Sequence, residues 1–270
     1  MPSLTHNVKS PRDLYHMAKR HGMWDPAAIS LAEDRAHFAA LDAEKKQQLT
    51  KICALFYEGE VSVADTLAWF VLGMPDAERR MYLATHLFEE VKHAEFFERY
   101  FHEVLGEMDT GTYIVPGSRD VLTHGLKQRG EAMGHALLGG NEKDLDLALT
   151  LFATHYMAII EGVMAQAAYE YVEEMLSSVN LFPGLLQAIR LIRSDEGRHT
   201  IHGLDYLRKQ LSSHPEYKGP AKELFLDNIK SMTLWTRWVF VPNPFGLDRD
   251  RMMTLGYNLH RQRMREIGLI

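Results

Sequence analysis

The sequence predicts an all-α protein built as one large helical bundle. Three observations lead there: apolar residues recur with a helical period over nearly the whole chain, no run of alternating β-branched residues reads as a strand, and four segments keep the helical pattern for more than about 25 residues without a sustained heptad. Long helices without heptads pack as bundles rather than coiled coils, and bundles build their sites in the core.

The elements follow in order. Residues 1 to about 40, with Pro11 and Pro26, read as an irregular N-terminal arm. A long helix runs from about Ala43 to Leu72 and is stopped by Gly73 and Pro75; a second runs from about Asp76 to Leu105 and ends at Gly106. The segment GTYIVPGSRD is loop, and a helix of about Asp120 to Leu138 ends in Gly139 and Gly140. Two more long helices, about Glu142 to Ser177 and Phe182 to Leu211, are joined by a turn around Asn180 to Gly184, and further helices are expected after Pro220 and after Pro244. The 270 residues are expected to form a single domain: the arm, a bundle over about 43–211 and C-terminal helices over about 218–270.

Composition excludes some functions. A net charge of −6 gives no electrostatic reason to expect a nucleic-acid partner. The single cysteine, Cys53, cannot form an intramolecular disulfide and is expected as core filler in a reducing compartment, with the cytoplasm the default. The N-terminus MPSLTHNVKSPRD has no apolar signal region, and no stretch reads as a membrane span.

The motif that carries chemistry is Glu-x-x-His. It occurs in SDEGRH as Glu196 and His199 and in EEVKH as Glu90 and His93. Residues three apart share a helix face, so each pair can offer an oxygen and a nitrogen to one cation. With 21 glutamates and 14 histidines, one such spacing is expected by chance, and an isolated copy is as readily a solvated charge pair. Position adds the specificity. Glu60 lies fourteen residues before the turn at Met74 and Glu90 sixteen after it, which puts the two at nearly the same height in antiparallel helices. Glu161 interrupts the apolar run TLFATHYMAIIEGVMAQAA, where a carboxylate needs a partner or a metal, and Glu196 is the candidate to oppose it. One glutamate from each of two helices plus a Glu-x-x-His pair from each of two others is the donor set of ferritin-like dinuclear carboxylate bundles. Oxygen-rich ligation with two imidazoles suits iron or manganese and argues against structural zinc or an iron–sulfur cluster.

On GEVSV, FEEVKH, YMAIIEG, SDEGRH and the N-terminal LYHMAKRHGMWDP, the chain resembles the ligand-binding oxidases related to the small subunit of ribonucleotide reductase, over about residues 11 to 205. The resemblance implies a ferritin-like four-helix core with additional helices, a homodimer, and a manganese/iron centre that activates dioxygen. Manganese would be held by Glu60, Glu90 and His93, and iron by Glu161, Glu196 and His199. Asp195 would orient a ligand imidazole, and a long-chain fatty acid would bind beside the metals; the many Met, Leu and Phe residues permit an apolar tunnel for it.

The same resemblance implies an ether cross-link between Tyr156 and Val63. Val63 lies three residues after Glu60, on the metal-facing side of its helix. Tyr156 lies five before Glu161, and five α-helical steps leave two residues about 140° apart. A one-residue π-bulge would return them to one face, so an i to i+5 hydrogen bond is expected within residues 156 to 162. Two alternatives stay open: a radical-generating reductase subunit, although Phe97 stands where those subunits usually carry a tyrosine, and an iron-storage or metal-free helical protein.

Overall fold

A computed structural model describes residues 9–106, 123–239 and 241–270, and those residues form helices and no strand. The segment read as loop, 111–120, lies outside the described residues. The order is α1 (Pro11–His21), a 3₁₀ turn (Pro26–Ala28), α2 (Ala32–Ala40), α3 (Ala43–Gly73) and α4 (Ala77–Tyr100), which runs on into one wide turn at Phe101–Leu105. Then come α5 (Thr123–Gly139), α6 (Glu142–Val179), α7 (Pro183–Ser213), α8 (Lys218–Val239) and α9 (Arg249–Glu266). Antiparallel pairs α3/α4 and α6/α7 form the core, as expected for a ferritin-like bundle.

Local chemistry sets the boundaries. Asp42, Asp76 and Asn141 cap α3, α4 and α6 by accepting a backbone N–H three residues on, satisfying donors that a helix start leaves free. Gly106, with φ of 72°, ends the wide turn after α4 in a left-handed conformation open to glycine without strain.

The N-terminal arm departs from expectation, because it is helical over Pro11–His21 and Ala32–Ala40 rather than irregular. Pro11 starts a helix instead of breaking one: it occupies the first turn behind a Ser10/Asp13 capping box. Asp34 of α2 then caps a different helix, accepting the Gly184 and Leu185 N–H groups at 2.8 Å each at the start of α7. Gly184 sits so close to the Ser30 carbonyl that a Cβ there would lie 2.6 Å from it.

Helix α6 is long and apolar enough to cross a membrane by length and composition, yet 78% of its apolar window is buried inside the fold. It is the central core helix. Its middle, Thr154–Ala165, is wound with i to i+5 hydrogen bonds, as the Tyr156–Glu161 spacing predicts.

Two apolar clusters lie along the bundle. One includes Cys53, Phe56, Phe96, Met164 and Ile192; the other includes Val63, Leu83, Tyr156 and Leu204. Each core helix passes from one cluster to the other, and in between lie Glu60, Glu90, Glu161 and Glu196, all 1 to 6% exposed. A buried layer of charge therefore separates two dry halves.

Candidate metal centre

Helix α4 presents His86, Glu90 and His93 along one stripe, at spacings of four and three residues. Glu60 reaches the same layer from α3, Glu161 from the widened part of α6, and Glu196 with His199 from α7. Their donor atoms fall into two groups, each with all atoms within 4.8 Å of one another: Glu60, Glu90, His93 and Glu196 in one, His86, Glu90, Glu161 and His199 in the other. Glu90 belongs to both, so its two oxygens can bridge two ions.

All six residues read from the sequence as candidate ligands meet in this layer. Glu196, expected beside Glu161 and His199, groups with Glu60 and His93, its Oε1 lying 3.4 Å from His93 Nδ1 and its Oε2 3.7 Å from His199 Nδ1. The height match between α6 and α7 does not fix how far a glutamate side chain swings along the layer.

The donor chemistry fits a metal pair. His93 donates its Nε2–H to Asp195 at 3.1 Å and His199 donates its Nε2–H to Glu89 at 2.9 Å, which leaves each Nδ1 lone pair facing the layer. Both Nδ1 atoms, together with Glu161 Oε2 and Glu196 Oε2, are buried without a hydrogen bond. Buried polar atoms are rarely left so, and divalent cations would satisfy all four.

The supporting carboxylates are exchanged between helices: Asp195 of α7 orients the imidazole of α4, and Glu89 of α4 orients that of α7. Arg198 joins them, donating to both at 2.5 Å. Asp195 also accepts from Trp24 Nε1 at 2.8 Å and Lys92 Nζ at 2.9 Å, and the Lys92 ammonium lies 4.3 Å from the Trp24 ring centroid. Asp195 thus stands against the outer side of the His93 imidazole. Glu89 was missed, although the signal was in the sequence: EEVKH and DEGRH share an acidic residue, then Glu, any residue, a basic residue and His. His86, Trp24 and Tyr169 were missed as well; His86 stands one turn before Glu90 on the same face of α4, a spacing that signals it, whereas Trp24 and Tyr169, which donates to Glu60 Oε1 at 2.6 Å, meet the layer from far along the chain.

Burial and crowding of like charges shape the titration of the layer. Glu60 is pushed well above the usual carboxylate range by burial and by Glu90. Burial works to lower the pKa of His93, but its hydrogen bond to Asp195 and the nearby carboxylates of Glu196 and Glu60 prevail and raise it well above the ordinary value. Asp195 is held low: burial opposes this, and the hydrogen bond and charge of His93, with Lys92 and Arg198, outweigh it. Tyr156 is pushed far up by burial and by Glu161 and Glu90, so its phenol keeps its proton at neutral pH.

Tyr156 faces the layer. Its hydroxyl is 2.8 Å from His86 Nε2 and donates to Glu90 Oε1 at 3.0 Å. Tyr156 and Val63 line one cavity with Glu60, Glu90, Glu161 and Glu196. Leu55, Phe56, Ile160 and Met164 make its walls largely apolar.

Fold and site together define a ferritin-like helical protein whose core holds two carboxylate–imidazole groups able to bind a dinuclear metal pair. The chain belongs to the ribonucleotide reductase small-chain family, whose model matches residues 8–269. Among solved structures, it is similar to a glycine-to-leucine mutant of an R2-like ligand-binding oxidase with anaerobically reconstituted Mn/Fe cofactor, with a TM-score of 0.87, 24% identity, and coverage of 98% of this chain and 96% of that one. A tyrosine-to-phenylalanine mutant with aerobically reconstituted Mn/Fe cofactor matches with the same TM-score and coverage at 23% identity. These likenesses establish the shared fold.

Proposed function

We propose that the protein is a dinuclear manganese/iron oxidase that activates dioxygen beside a bound long-chain fatty acid and joins Tyr156 to Val63 by an ether bond. The observation that carries this reading is that both partners of the bond line the apolar cavity that opens on the four glutamates. The Mn/Fe cofactors of the similar oxidase structures support the metal identity.

Glu60, Glu90, Glu161, Glu196, His93 and His199 would hold the ions, while Asp195 and Glu89 orient the two imidazoles. When bound, the metal pair supplies two of the four electrons that reduce dioxygen to two waters. The other two come from the O–H of Tyr156 and an aliphatic C–H of Val63; both bonds break, an O–C bond forms, and two further protons come from solvent. Glu90 Oε1 accepts the phenol hydrogen bond and so holds the Tyr156 hydroxyl toward the layer. The fatty-acid carboxylate would sit at the metals and its tail along Leu55, Phe56 and Ile160. A homodimer is part of the same reading, with Met81, Phe88 and Val91 of α4, 42 to 52% exposed, as the surface it would cover; a monomer by sedimentation would remove that part.

Purified protein expressed with manganese and iron should carry two metals per chain, and Glu90→Ala should lose dinuclear binding. Oxygen exposure of the reduced, loaded protein should lower its mass by about 2 Da and tie a Val63 peptide to a Tyr156 peptide. Tyr156→Phe should bind metals without that linkage. A wild type without stoichiometric metal sinks the metal reading; a loaded, oxygen-exposed wild type with unlinked peptides sinks the cross-linking oxidase alone.

Family membership favours one second reading, a radical-generating reductase subunit. Phe97, four residues after His93, stacks on Phe56 at 5.4 Å and offers no phenol there. A stable radical in electron paramagnetic resonance, with nucleotide reduction on adding a large subunit, would establish that reading instead.

A further inference from the structure

His86 lies outside the six ligands that the Glu-x-x-His pattern supplies, yet it is fully buried and its Nε2 points into the same layer. That nitrogen lies 3.2 Å from Glu90 Oε1 and 3.2 Å from Glu161 Oε1. His199 Nδ1 lies 2.9 Å and 3.3 Å from the same two oxygens. Bonds of about 2.1 Å to one ion place neighbouring donors about 3.0 Å apart at right angles and about 3.4 Å apart in a tetrahedron. All four separations fall at or near that interval. The two imidazoles are stacked, with centroids 3.5 Å apart and planes 16° apart, so their inward nitrogens arrive side by side.

We propose that His86 is a third imidazole ligand, binding the second metal through Nε2 together with Glu90, Glu161 and His199, while Glu196 serves the first metal with Glu60, Glu90 and His93. The proposal rests on the dinuclear reading and assigns a ligand that the motif does not contain. Helix α4 then brackets its bridging Glu90 with one imidazole for each ion, His86 four residues before and His93 three after. The Tyr156 hydroxyl, also 2.8 Å from His86 Nε2, does not lose its partner when that lone pair turns to a metal, because Glu90 Oε1 accepts it at 3.0 Å. The arrangement also places the cross-linking phenol directly beside a ligand of the second ion.

The test is nuclear magnetic resonance of full-length protein labelled with ¹⁵N-histidine and loaded with ¹¹³Cd, in which one-bond cadmium–nitrogen coupling identifies each ligand imidazole. Wild type should show three coupled imidazoles, through Nδ1 of His93 and His199 and Nε2 of His86. His86→Phe should lose the last coupling and weaken Mn(II) at one of the two positions by at least about tenfold, with the other position kept. Coupling confined to His93 and His199 would overturn the proposal and leave the dinuclear reading standing, and this measurement on wild type does not depend on the variant's folding. Fewer than two bound metals in wild type would overturn both.

Discussion

Asp195→Asn tests whether each supporting carboxylate serves one metal. Asp195 is fully buried and accepts hydrogen bonds from His93, Trp24, Lys92 and Arg198, so the substitution keeps the shape and removes the charge that faces two buried cations. Breaking a buried ion pair from one side costs about 3–5 kcal/mol. Arg198 keeps Glu89 and Lys92 keeps the Gly22 carbonyl, which places the loss near the lower end, about 3 kcal/mol in urea unfolding of the metal-free protein. His93 also loses the acceptor that holds its Nε2–H outward, so Mn(II) affinity at the Glu60/His93 position should fall about 10- to 100-fold, or about 1.4–2.7 kcal/mol. His199 keeps Glu89 at 2.9 Å, so the other position should change little. Glu89→Gln should give the mirror result. Anaerobic calorimetric titration with Mn(II) resolves the two positions. Equal losses at both positions from both variants, or none from either, would refute the crossed assignment.

Two further outcomes follow from the same layer and its surroundings. At Gly59, which lines the cavity, an added Cβ meets nothing within 4 Å; Gly59→Leu should therefore fold and bind metals while lowering the yield of extracted fatty acid, and unchanged lipid by mass spectrometry would count against a ligand in that cavity. His202 is fully buried with neither ring nitrogen hydrogen-bonded, and burial, then the charge of Arg79, pushes its pKa well below the ordinary value. Below about pH 6.5 the unfolded chain therefore takes up a proton that the folded protein refuses, and stability falls with falling pH by up to about 1.4 kcal/mol per unit from this residue. His202→Phe should remove that contribution, so urea-derived stabilities of wild type and variant should diverge in the variant's favour from pH 7 down to about 5; parallel curves would show that His202 is not held neutral.

The sequence by itself determined what depends on near neighbours along the chain. Caps at Asp42, Asp76 and Asn141 and the stop at Gly106 are one-turn effects, so the long helices were legible nearly to the residue. The two Glu-x-x-His pairs are one-turn effects as well. Even the widened turn in α6 could be inferred, because five α-helical steps would have pointed Tyr156 and Glu161 to different sides. The arm reads as irregular because proline usually interrupts a helix, yet behind Ser10 and Asp13 Pro11 is a helix start. Only the tertiary structure decided the crossed supports, since Glu89 meets His199 across 110 positions and Asp195 meets His93 across 102. It also decided that His86 enters the layer and that Glu196 leans to the first group. Helical periodicity tells which face a residue occupies, but the rotation of one helix against another, and the reach of a side chain across the gap, come from how the two apolar halves pack around the charge between them.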